Sequence, residues 1–202
     1  MKNLLLALVA VLIAYSATAQ EKYPQGLYMS FGEIVSKAPS MPADSVEIVK
    51  RTEADVILLG GNDYKLVFQS KELKKTLKKD VWAYSNGDSL YVNGTKFNVN
   101  YGYVRVIKDG PRHLLFDAAA QNKIISTSRP ACNNRYHYAL NKSTGKLHVI
   151  TLKFIKKVLP DGDSDVYADF KKDMETMGKI NNLNQKRSVE CVITENYARL
   201  ID

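Results

Sequence analysis

The stretch from Val81 to Phe116 reads VWAYSNGDSLYVNGTKFNVNYGYVRVIKDGPRHLLF, a series of short runs rich in Val, Tyr, Phe and Leu. Between the runs stand Asn86-Gly87-Asp88, Asn93-Gly94 and Asp109-Gly110-Pro111. Asn-Gly and Asp-Gly readily take the positive φ angles that tight hairpin turns require, so the stretch predicts an antiparallel meander. A chain with such a block at its centre must use the remainder as an approach to the sheet or a cover for it.

The flanking patterns extend this frame. Val46–Lys50, the apolar run Asp55–Leu59 and the alternating Tyr64–Ser70 read as strands. Tyr136–Leu140 and Lys146–Ile150 form a hairpin around Lys142-Ser143-Thr144-Gly145. Ser30-Phe31-Gly32-Glu33 fits a capping box, with Met29 and Ile34 at the positions of a hydrophobic staple, and opens a short helix from Phe31 to Ser36. Lys71–Asp80 carries five lysines with Leu73 and Leu77 four residues apart, an amphipathic helix with a solvated basic face. Thr151 caps a helix through Leu159. Ser164–Met177 follows with Val166, Phe170, Met174 and Met177 as its apolar stripe, and a last helix runs from Ser188 to Leu200. The expected fold class is α+β: an antiparallel meander over about residues 45–150, preceded by a short helix and followed by two or three C-terminal helices. Those helices, within residues 151–202, either pack on the sheet or stand apart as a subdomain of a single domain spanning residues 20–202.

The hairpin Val81–Asn93 has two registers. With a two-residue turn, Val81, Ala83, Leu90 and Val92 share one face and leave Trp82, Tyr84 and Tyr91 on the other. With a three-residue loop, Trp82 and Tyr84 line up with Leu90 and Val92 instead. A slip of one residue thus decides whether an aromatic binding face exists, with Trp82, Tyr84 and Tyr91 as its candidates.

The N-terminus reads as an address. Lys2 precedes the unbroken apolar run Leu4–Ala14, and Ala17-Thr18-Ala19 is a small-x-small cleavage pattern. The run has 11 residues, too short for a helix to cross a bilayer core of about 30 Å. Residues 1–19 are therefore expected to be a signal peptide, with export to the periplasm or the extracellular space and no transmembrane segment in the mature chain. Cleavage would leave 183 residues and 28 of the 29 basic residues against 21 acidic ones, a net charge near +7. In an exported protein this charge suggests an anionic glycan or envelope surface as partner before nucleic acid, with simple solubility as the alternative that needs no specific partner. Cys132 and Cys191 are disulfide candidates in an oxidising compartment, closing a long loop worth on the order of 3–4 kcal/mol. On the last helix Cys191 falls almost opposite the stripe of Val189, Ile193 and Leu200, beside Ala198.

Familiar chemistries are missing. Asp161-Gly162-Asp163-Ser164-Asp165 resembles the start of a calcium loop, but position six is Val166 and position twelve Lys172, where Gly and a bidentate Glu belong. Acidic residues ahead of a helix serve as caps instead. His113, His137 and His148 show no metal-ligand spacing, and no nucleophile elbow or phosphate-cradling loop occurs. The residues therefore nominate no catalytic, metal or cofactor site, and no cofactor is expected.

GLYMSFGEIVSKAPS (Gly26–Ser40) and LKKTLKKDVWAYSNGDSLYVN (Leu73–Asn93) carry a resemblance. A Gly-Leu-Tyr-x-Ser-Phe opening, a Trp strand before a Gly-Asp turn and a Ser-Leu-Tyr-Val return strand resemble an uncharacterised family of exported proteins from Gram-negative, gut-type bacteria. The two blocks cover 36 of 202 residues. The resemblance implies export and an envelope or extracellular setting, and it brings no catalytic or ligand residue. The expected function is a non-enzymatic binding or structural module of the envelope or extracellular space. The alternative is a hydrolase-type enzyme whose site residues converge only in the fold.

Overall fold

The computed structural model describes residues 23–119, 135–159, 164–198 and 200–201. The first half of the described chain contains β1 (Gly26–Tyr28), α1 (Phe31–Ser36), β2 (Val46–Lys50), α2 (Glu53–Leu59), β3 (Tyr64–Phe68), α3 (Lys71–Leu77), β4 (Ala83–Ser85) and β5 (Leu90–Asn93). A 3-10 turn (Gly94–Phe97) leads to β6 (Tyr103–Asp109), β7 (His113–Ala119), β8 (Arg135–Asn141) and β9 (Leu147–Val149). Then come α4 (Leu152–Val158), α5 (Ser164–Gly178) and α6 (Leu183–Ala198). The signal-peptide pattern of residues 1–19, Cys132 and the acidic positions 161–163 lie outside the described residues.

Among the described residues every strand pairing is antiparallel. β1, β4, β5, β6, β7, β8 and β9 are neighbours in that order, and the β2–β3 ribbon joins β6 where Tyr64 faces Tyr103. The expected α+β class and the meander from β4 to β9 are both present. Two tight turns lie where the turn residues stand: Gly87-Asp88 closes β4–β5, and the Gly110 N–H donates to the His113 carbonyl at 2.9 Å to close β6–β7. The Ser30 hydroxyl accepts from the Glu33 N–H and Thr151 from the Phe154 N–H, as capping residues should.

Two expectations are corrected. Asp55–Leu59 is not a strand but most of α2, because Thr52 caps it through the Asp55 N–H and Glu53 and Asp55 complement its N-terminal dipole. A short apolar run fits strand or helix equally by periodicity, and here the cap decides. Asn93-Gly94 is not a tight hairpin turn either. The Asn93 side chain accepts from the Thr95 N–H and starts the 3-10 turn, so β5 and β6 are joined by a longer connection.

Among the described residues the core forms three clusters. Tyr28, Ile34, Leu90, Val92, Val104, Phe116 and Leu140 fill one face of the sheet. On the opposite face, Leu115, Ala139 and Ile150 pack against Ile155, Phe170, Ile193 and Tyr197, so the C-terminal helices cover that part of the sheet. Leu27, Val46, Leu77, Tyr84 and Tyr91 make the third, beneath the β2–β3 ribbon and α3. Within α6, Ile193 of the expected stripe is buried and Val189 half-buried, Tyr197 and Ala198 are buried too, and the helix begins at Leu183 and ends at Ala198. Leu200 is 49% exposed, and Ile201 is buried instead.

Candidate functional site

Side chains alternate along β8, sending Tyr136, Tyr138 and Leu140 to one face and Arg135, His137 and Ala139 to the other. The β7–β8 register sets Leu115 opposite Ala139, Asp117 opposite His137 and Ala119 opposite Arg135. The helices bury the Leu115–Ala139 pair. One pair further along, the same face turns polar.

There, His137 Nδ1 lies 2.5 Å from Asp117 Oδ1. Arg135 binds Asp63 through two nitrogens, at 2.7 and 3.2 Å, and donates to the Asp117 carbonyl at 3.1 Å. Burial opposes the charged guanidinium, but the hydrogen bonds and charge of Asp63, with Asp117 behind it, hold Arg135 more firmly protonated than usual. This end of the sheet opens into a cleft of about 210 Å³ bounded by Ile107, Lys108, Asp117 and His137 on the strands and by Glu195 and Ala198 of α6.

Residues distant in sequence place Asp63. The guanidinium of buried Arg51 donates to the carbonyls of Asp55, Gly60 and Asn62 and lies over the Tyr101 ring, tying the end of α2 to the entry of β3. The Asn62 side chain donates to the Asn100 carbonyl at 2.6 Å, and Asn100 donates to the Ala119 carbonyl at 2.8 Å. The ends of β7 and β8 are thereby pinned beside Asp63. Three buried polar atoms in this region, Asn62 Oδ1, Asn100 Oδ1 and His137 Nε2, have no hydrogen-bond partner among the described residues. Such atoms are uncommon in folded proteins, and each is a place where a water or a ligand group would be held.

The chemistry follows from the imidazole. When neutral with its proton on Nδ1 facing Asp117, His137 presents Nε2 as an acceptor; when protonated, it presents a donor. The pair can therefore fix a ligand or exchange a proton with one. Among the described residues no Ser, Thr or Cys lines the cleft, and no group of three or more His, Cys, Asp or Glu is placed to hold a metal ion.

The aromatic candidates lie elsewhere. The two-residue register is the observed one, with Ala83 opposite Val92 and Tyr84 opposite Tyr91. It leaves no open aromatic face, because Tyr84 and Tyr91 are only 5% and 8% exposed in the third core cluster. Burial first, then Glu47 and Tyr91, pushes the Tyr84 phenol above its ordinary pKa. Trp82 parts from them just ahead of β4, where its backbone N–H donates to the Tyr28 carbonyl and its carbonyl accepts from the Asn93 N–H. It packs half-buried against Phe97 and Phe31, at ring distances of 5.6 and 6.5 Å, with Lys96 over its face. Of the disulfide candidates, Cys191 is half-buried on α6 and Cys132 is outside the described residues. The lysines from Lys71 to Lys79 are exposed along α3 and the turn after it.

Sequence reasoning missed Asp63, Asp117 and Arg135 and set His137 aside. The alternation of Tyr136-His137-Tyr138 was the one available signal, and it assigns a face but no partner. No curated protein and no solved structure matches this chain. A family of unknown function, DUF6563, matches residues 26–182, which takes in the sheet side of the cleft and stops just short of α6. The match spans most of the chain, which therefore belongs to the DUF6563 family.

Proposed function

We propose that the protein is an exported, non-enzymatic binding module of the bacterial envelope or extracellular space, and that it holds its ligand in the cleft between β6–β8 and α6. Export rests on the N-terminal pattern of Lys2, Leu4–Ala14 and Ala17-Thr18-Ala19. The observation that carries the binding reading is His137. Asp117 holds its Nδ1, while its buried Nε2 has no partner among the described residues and the residue lines a cleft. The volume of about 210 Å³ is smaller than a drug-sized pocket. It suits a small molecule or the end of a longer one, with an apolar part against Ile107 and Ala198 and a polar group toward His137.

Ligand-observed NMR with a fragment library tests this on the wild type and on His137→Gln, each checked for folding by circular dichroism. Fragments that bind the wild type and weaken roughly tenfold in the variant, the worth of one hydrogen bond in a dry site, support it. A library without hits, or hits indifferent to His137, counts against it. The hydrolase-type reading draws on the same His–Asp pair, which has the orientation of a general base. Turnover of ester, amide or glycoside substrates that disappears in both His137→Gln and Asp117→Asn would favour that reading instead.

A further inference from the structure

Helix α3 presents a second, separate surface. Lys71, Lys74, Lys75 and Lys78 follow the spacing i, i+3, i+4, i+7, so they form one stripe along the helix and into its C-cap. All four are exposed, as is Lys79, and none forms an ion pair among the described residues. Leu73 and Leu77 occupy the opposite side and pack with Val46, Val81 and Tyr84, which locks the stripe outward. Only Glu72 and Asp80 oppose five lysines between positions 71 and 80. Like charges three and four residues apart on a helix repel one another, so the arrangement stands at a small cost to α3 itself.

We infer that this stripe is a docking surface for an acidic polysaccharide. From Lys71 to Lys78 it extends about 10 Å along the helix, long enough to meet several charges of a linear polyanion at once. Such contacts release counterions from both partners. An anionic bilayer fits less well. Stable seating on lipid adds apolar or aromatic residues beside the basic ones, and none of the large exposed hydrophobic residues among the described residues lies on α3. The net positive charge of the whole chain works in the same direction at long range.

The test is a titration of the full chain with polygalacturonate at several salt concentrations, with neutral dextran as control. Two charge-matched variants are compared: Lys71, Lys74, Lys75 and Lys78 all changed to Gln, and Lys153, Lys156, Lys157 and Lys172 all changed to Gln. All eight lysines are exposed, so both variants should fold, as thermal unfolding would verify. The stripe variant is expected to bind about tenfold or more weakly and to lose about 3 from the slope of log affinity against log salt. The second variant should stay close to the wild type. Equal weakening in both variants would reduce the effect to net charge and overturn the proposal. So would equal binding to dextran, or tighter binding to phosphatidylglycerol vesicles than to the polysaccharide.

Discussion

Glu33 holds a corner of the molecule with one carboxylate. It accepts from the Met29 N–H at 2.8 Å, from the Ser40 N–H and hydroxyl at 3.2 and 3.0 Å, and from the Ser30 hydroxyl at 3.3 Å. The sequence pattern foresees the reach back from Glu33, although the backbone N–H it takes up is that of Met29 rather than Ser30. Burial raises a carboxyl pKa, but these hydrogen bonds outweigh it and hold Glu33 below its ordinary value. A depressed pKa stabilises the fold above the unfolded value and loses that stability as pH falls through the folded one. Glu33→Gln should thus cost about 1 kcal/mol at neutral pH, and the gap to the wild type should close on acidification below the ordinary carboxylate range. Urea unfolding across pH checks this, and a gap constant with pH would refute it. Gly94 is a steric case. A Cβ there would stand 2.3 Å from the Asn62 amide nitrogen and 2.4 Å from the Asn100 carbonyl. Gly94→Ala should cost about 3 kcal/mol, the upper end for overpacking, and calorimetry would detect it as a lowered Tm.

Among the elements, α6 and the β8 entry bear on the cysteines. Cys191 lies one helical turn before Glu195, which lines the cleft, and Cys132 precedes Arg135, which lines it too, by three residues. Cys132 lies outside the described residues, and a disulfide between Cys132 and Cys191 is our proposal. The expected outcome is no alkylation of the unreduced, denatured protein in intact-mass analysis and two additions after reduction. Two additions without reductant would exclude the bond. Elements also show what was legible. The caps at Ser30 and Thr151, the Gly87-Asp88 turn and the stripe of Phe170 and Met177 act over three to seven residues, and all were readable. Helix α2 was missed although its Thr52 cap is equally local, because its short apolar run fits a strand as well. What lay beyond any local pattern is its clamp, Arg51, which works through carbonyls up to Asn62 and through Tyr101, a contact across 50 positions.

For the whole molecule, the amino-acid sequence by itself determined the α+β class, the order of the meander and the outward lysine stripe of α3. Turn residues, caps and periodicities act between neighbours, so their effect survives without knowledge of the rest. The tertiary structure alone decided which side of each strand would meet a helix. It buried Tyr84 and Tyr91 under the β2–β3 ribbon, and it packed Trp82 against Phe31 and Phe97 in another cluster. It also brought His137 against Asp117, 20 positions away, and Arg135 against Asp63, 72 positions away. Those meetings depend on strand register and on where the C-terminal helices stop along the sheet. Both are settled by the packing of the chain as a whole, because burying one apolar pair, Leu115 with Ala139, leaves the next pair on the same face at the edge of the cleft, where charged groups meet it.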